Sequence, residues 1–228
     1  MTDASQNLQP ENNDEMPGGL PWRRAWYRIL FNQGATLYEL ENFDEAIPII
    51  RRAAALDQTP SVMALLGRAL SDEVWRDIEI SGFPPEDEEE KLMEAVKYLR
   101  KSLEALPGQF GLNARIGKIY FELGRYFNAA DYFEKEYELG SNHRKRPEEF
   151  TLYYAVGRWL AQSWRMTGTI GNLKKAEGLY CALSLEASMR GHDSAAEIFD
   201  REFYLIKGEI DSHPDNPPML EPPQPPHA

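Results

Sequence analysis

Apolar residues recur three and four positions apart in AWYRILFNQGATLYEL from Ala25, AIPIIRRAAAL from Ala46, LMEAVKYLRKSLEAL from Leu92 and NAADYFEKEYEL from Asn128. A period near 3.6 gathers such residues on one face of a helix, so each stretch predicts an amphipathic helix with a buried stripe. No segment sustains the period-two alternation of a half-buried strand. Punctuation is sparse and falls between the periodic stretches: Pro60 follows LDQT and Pro107 follows LEAL, where helices are expected to stop. Pro48 falls early in its helix and does not break the reading. The pattern predicts an all-α chain.

Four stretches can be laid over one another, centred on Gly34, Gly67, Gly117 and Gly157. Each is followed by a second helix in which a small residue, Ala46, Ala95, Ala129 or Ala176, precedes a large one four positions on: Ile50, Leu99, Phe133 or Tyr180. Glycine on one helix and alanine on its neighbour let two axes approach closely, while the large residue fills the next layer. Twelve residues separate glycine from alanine in the first and third units, whereas the second carries an insertion around EISGFPPEDEEE and the fourth a shorter one around TGTIGN.

ARIGKIYFELGRYFNAADYFEKEYEL, with Gly117, Tyr120, Gly124, Tyr126, Ala129 and Phe133 in register, resembles the tetratricopeptide repeat. GATLYELENFDEAIPIIRRAAALD is similar, with Glu41 in place of the turn glycine. The resemblance implies a right-handed superhelical array of about four helix hairpins, units near 25–59, 60–107, 110–141 and 148–190, closed by a capping helix over 194–210. Ala195, Ile198, Phe199, Phe203 and Ile206 would form the apolar face of that cap. At the opposite end Trp22 and Trp26 share a face.

Charge changes this picture mainly at its edges. The formal net charge is −12, and it is accounted for by residues 1–21, residues 211–228 and the run Glu86 to Glu90. The two terminal stretches, the first acidic and the second proline-rich, read as disordered tails around a nearly neutral body at 22–210. Such a surface is unsuited to a phosphate backbone, so nucleic acid is not an expected partner. No apolar run has the length of a membrane span, and a secretory leader is absent from the start of the sequence, which points to a cytoplasmic protein without membrane contact.

Catalytic chemistry finds no constellation. His143, His192, His213 and His227 are scattered, no metal-ligand spacing occurs, and Gly117-Lys118 lies within a helix without the other residues of a phosphate loop. Cys181, the only cysteine, reads as a small buried residue. The expectation is a non-enzyme with no cofactor and no metal.

The resemblance implies that first helices line a concave groove and that the residue after each packing glycine points into it. Arg68, Lys118 and Arg158 hold that position, with Arg115 and Arg165 on neighbouring turns and Phe31, Tyr38, Phe121 and Tyr154 on the same surface. Such a groove suits another protein's acidic segment or C-terminal carboxylate; alternatively the bases pair with neighbouring acids such as Asp72 and Glu122. The carboxylate clamp of some family members is not matched, since Phe31, Ala35, Leu65 and Gly111 depart from it and only Arg115 agrees. The expected function is an adaptor, scaffold or chaperone-like module. A self-associating homo-oligomer using the aromatic ends is the alternative. The acidic insertion 79–91 would, if it folded over the groove, meet the basic ladder.

Overall fold

The computed structural model describes residues 20–83, 85–142 and 147–216, which form α-helices and turns without a strand. The helices are α1 (Leu20–Glu39), α2 (Phe43–Leu56), α3 (Pro60–Ser81), α4 (Glu88–Ala105), α5 (Leu112–Glu122), α6 (Tyr126–Asn142), α7 (Pro147–Met166), α8 (Ile170–Met189) and α9 (Asp193–Asp211). They pair as hairpins α1/α2, α3/α4, α5/α6 and α7/α8, with α9 laid against α8. The expected tails at 1–19 and 217–228 lie outside the described residues.

Each hairpin is drawn together where the sequence places its glycine. A Cβ added to Gly34 would lie 2.6 Å from Ile50 Cγ1, one on Gly67 2.6 Å from Leu99 Cγ, and one on Gly117 2.8 Å from the Phe133 ring. Ala46, Ala95, Ala129 and Ala176 are fully buried beside them. The fourth hairpin differs: Gly157 meets Leu183, one turn beyond the expected Tyr180, whose ring turns instead toward Phe199 of α9.

Turn chemistry explains the hairpin boundaries. Gly124, Gly168 and Gly191 take positive φ between helices, and Glu41 adopts φ 57° at the place where the third unit has glycine. Thr59 caps α3 through Val62 N, and Pro60 occupies the first turn, where its missing donor costs nothing. Much of the long insertion is absorbed by lengthening α3, which runs to Ser81, and α4, which starts at Glu88. Glu88, Glu89 and Glu90 sit in the first turn of α4, a favourable end of the helix dipole. From there Glu89 pairs with Arg125 at 2.5 Å, on the turn of the next hairpin.

The buried side chains form two clusters. One runs from Leu30 to Phe133 and takes Val156 and Leu160 from α7; the other takes Tyr153, Tyr154 and Ala161 from the same helix and continues through Tyr180 and Leu183 to Phe199, Ile206 and Ile210. Residues 211–216, expected in the tail, instead finish α9 and fold back: Asn216 Nδ2 donates to Ile210 O at 2.9 Å, and His213 Nε2 lies 3.1 Å from Gly168 O. Cys181 is exposed, not buried, because the apolar neighbours that flank it in sequence project from the opposite side of α8.

Candidate interaction surface

First helices carry a chain of polar contacts that runs directly from one to the next. Tyr38 of α1 donates to Asp72 Oδ2 of α3 at 2.7 Å, and Arg115 of α5 reaches Asp72 Oδ1 at 2.5 Å and Ser71 Oγ at 3.0 Å. Trp75 Nε1 donates to Glu122, and Lys118 both pairs with Glu122 at 3.7 Å and stands 3.7 Å above the Trp75 ring. Asp72 and Trp75 lie one turn apart on α3, as do Lys118 and Glu122 on α5, so helical spacing aligns the partners. Burial, reinforced by the hydrogen bond to Asp72, pushes the Tyr38 hydroxyl up to about 12, and burial likewise raises Glu122 despite Lys118.

This network divides the basic ladder in two. Arg115 and Lys118 are held by Asp72 and Glu122, and Arg165 of α7 is held by Glu209 through Nε at 3.0 Å and by Glu202 at 3.6 Å, both on α9. The guanidinium groups of Arg68 and Arg158 make no hydrogen bond or ion pair with any described residue. Asp72, four residues after Arg68, is already taken from the two neighbouring helices. Arg68 is half-buried near Tyr38, and Arg158 is exposed.

The aromatic residues divide similarly. Phe31, Tyr38 and Phe121 are partly buried on the first helices; Phe31 stacks on Tyr27 at 5.9 Å and Phe121 meets Tyr126 edge-on at 5.3 Å. Tyr154 does not belong to the groove. It lies three residues before Gly157, the register that on α3 and α5 holds the buried Ala64 and Ala114, and it is enclosed between Phe150, Phe199 and His192. Its hydroxyl lies 3.1 Å from His192 Nδ1. Trp75 packs against the core and reaches the network through its Nε1, and it walls a hollow of about 400 Å³ with Tyr38, Glu39, Asp72, Arg76 and Glu79. A second hollow of about 540 Å³ opens on the other side, between α4 and α6, where Leu103, Tyr132 and Leu139 line it.

Among the described residues one buried polar side-chain atom is orphaned. The Tyr180 hydroxyl has no hydrogen-bond partner, and burial pushes it up to about 12. Replacing it with hydrogen removes a desolvated group without opening a large void. Tyr180→Phe is therefore expected to raise unfolding stability by about 1 kcal/mol in a denaturant titration. A loss of stability would show that the hydroxyl is satisfied in solution.

Among the described residues no group of three or more His, Cys, Asp or Glu is placed to hold a metal ion, and no helix is long and apolar enough to cross a membrane.

The stacked hairpins, close-packed at a glycine and joined along their first helices, define an all-α solenoid. The family model for the tetratricopeptide repeat matches residues 27–60 and 111–139, the first and third hairpins. These two hairpins are tetratricopeptide repeats. Among solved structures it is similar to the yeast histone chaperone Hif1, described as a scaffold protein recruiting protein complexes to core histones. That match has 11% identity and a TM-score of 0.55 over 86% of this chain and 98% of the other. It is also similar to MamA from Desulfovibrio magneticus RS-1, at 14% identity and a TM-score of 0.48 over 82% of this chain and 98% of that one. No match was found among curated proteins.

Proposed function

We propose that this protein is a non-catalytic scaffold that holds a segment of another protein along its first-helix groove. The observation that carries the reading is the pair of guanidinium groups, Arg68 and Arg158, that have no ion-pair partner among the described residues, on a surface where Arg115 and Lys118 are already held by Asp72 and Glu122. A closed network beneath them fixes the surrounding side chains, so little ordering is required of the scaffold when a segment binds. The two arginines suit carboxylates through charge-assisted, bidentate hydrogen bonds. The solenoid fold, shared with a scaffold protein among its structural neighbours, supports the reading.

The test is a peptide array of acidic and C-terminal-carboxylate sequences, probed with the wild type and with an Arg68→Glu, Arg158→Glu variant that retains its circular dichroism spectrum. Peptides bound by the wild type should lose roughly tenfold or more in affinity, since a hydrogen bond to a charged group contributes about 1.5–3 kcal/mol. An Arg52→Glu control, on the exposed side of α2, should bind as the wild type does. Unchanged binding by the double variant would remove the groove from consideration.

A further inference from the structure

We propose that copies of this chain join head to tail, the free face of α1 in one against the free face of α9 in the next. The two ends of the array carry this contact, independently of the groove. Along α1, Trp22, Trp26 and Ile29 are 68%, 38% and 53% exposed, and their spacing places them in one apolar stripe on the side turned away from α2 and α3. Along α9, Ile198 and Leu205 stand two turns apart, beside Tyr204, at 37%, 50% and 68% exposed.

A solenoid normally ends on helices with polar outer faces. Neither end here does so. Of the apolar face expected for the cap, Ile198 is exposed on α9, with Leu205 two turns beyond it.

Charge selects the partner. Arg23, Arg24 and Arg28 are exposed on α1, which has no acid before Glu39. On α9, Asp193, Glu197 and Asp211 are exposed against Arg201 and Lys207, while Asp200 accepts from Ser184 of α8 and Glu202 and Glu209 hold Arg165. Two α1 ends brought together would oppose arginines, and two α9 ends would oppose carboxylates. The α1 end against the α9 end joins apolar stripe to apolar stripe and base to acid. A contact between unlike faces leaves one of each free, so it propagates into a row of copies rather than closing as a two-fold dimer.

Sedimentation velocity on the full chain tests this. The weight-average mass should rise with protein concentration at low salt and fall back as salt is added, because the rim charges are screened. Trp26→Glu blocks the head and Leu205→Glu blocks the tail; both residues are on the surface, so both variants should fold, which circular dichroism verifies. Each variant alone should be a monomer, and an equimolar mixture should give a one-to-one dimer that grows no further. A wild type that stays monomeric throughout the range overturns the proposal, including the case in which removing residues 1–19 is needed to release association. Dimers formed by either variant alone would overturn it in favour of a contact between like faces.

Discussion

Gly67→Ala is expected to destabilise the protein by about 2 kcal/mol, although alanine is the better helix former. A Cβ at this position would lie 2.6 Å from Leu99 Cγ and 2.9 Å from the carbonyl oxygen of Ala95. Leu99 is fully buried, and the carbonyl belongs to the backbone of α4, so relief requires the two helices to separate. Overpacking of this kind costs about 3 kcal/mol, against about 1 kcal/mol that alanine returns in helix propensity. Gly178→Ala on α8 supplies the internal comparison. Nothing lies within 4 Å of its added Cβ, so only the propensity gain of about 1 kcal/mol remains, with opposite sign. Urea titrations of the two variants should therefore move the midpoint in opposite directions. Equal midpoints would mean that the close approach of α3 and α4 is not a packing constraint.

Glu136→Ala should cost on the order of 2–3 kcal/mol, from a residue that no binding role explains. Glu136 is a carboxylate on α6 with 1% exposure, and it accepts from Gly111 N at 2.6 Å and Ala114 N at 3.4 Å. Gly111 begins α5 at φ 87° and has no side chain with which to cap it, so the neighbouring helix supplies the acceptor. Truncation orphans buried donors at a positive helix end and leaves a void. Burial raises the Glu136 pKa above the ordinary glutamate value, although the hydrogen bonds from Gly111, Ala114 and Asn113 oppose it. A raised folded-state pKa means that the folded protein holds the proton more tightly than the unfolded chain. That contribution is complete below the ordinary value and is lost as pH rises through the raised one. The stability gap between wild type and Glu136→Ala should narrow across that window. A gap that widens instead would reverse the assigned cause.

What could be read from the sequence was the local code. Glycine, alanine and a large residue at fixed spacing act between adjacent helices of one hairpin, so the close approaches at Gly34, Gly67 and Gly117 are set by short stretches of chain. The missed features depend on pairs distant in sequence. Arg115 finds Asp72 43 positions away, and Arg165 finds Glu209 44 away, so which bases would remain free could not be read from neighbours along one helix. Tyr154 was legible in principle, since its register matches Ala64 and Ala114, but its aromatic character suggested a surface. Glu136 had left a signal too: it lies three residues after Phe133 and seven after Ala129, on the buried stripe, where a carboxylate calls for donors from elsewhere.

The division of the core within α7 bears on how the molecule comes apart. Val156 and Leu160 join the cluster of the hairpins on the N-terminal side, while Tyr154 and Ala161 join the cluster that runs through α8 and α9, and Tyr153 stacks on Tyr137 of α6, so among the described residues no single buried cluster spans both ends. Cooperativity in such an array passes only through shared neighbours. The α8–α9 segment can therefore open as a separate unit while the hairpins from α1 to α6 remain folded, with α7 acting as the clutch between them.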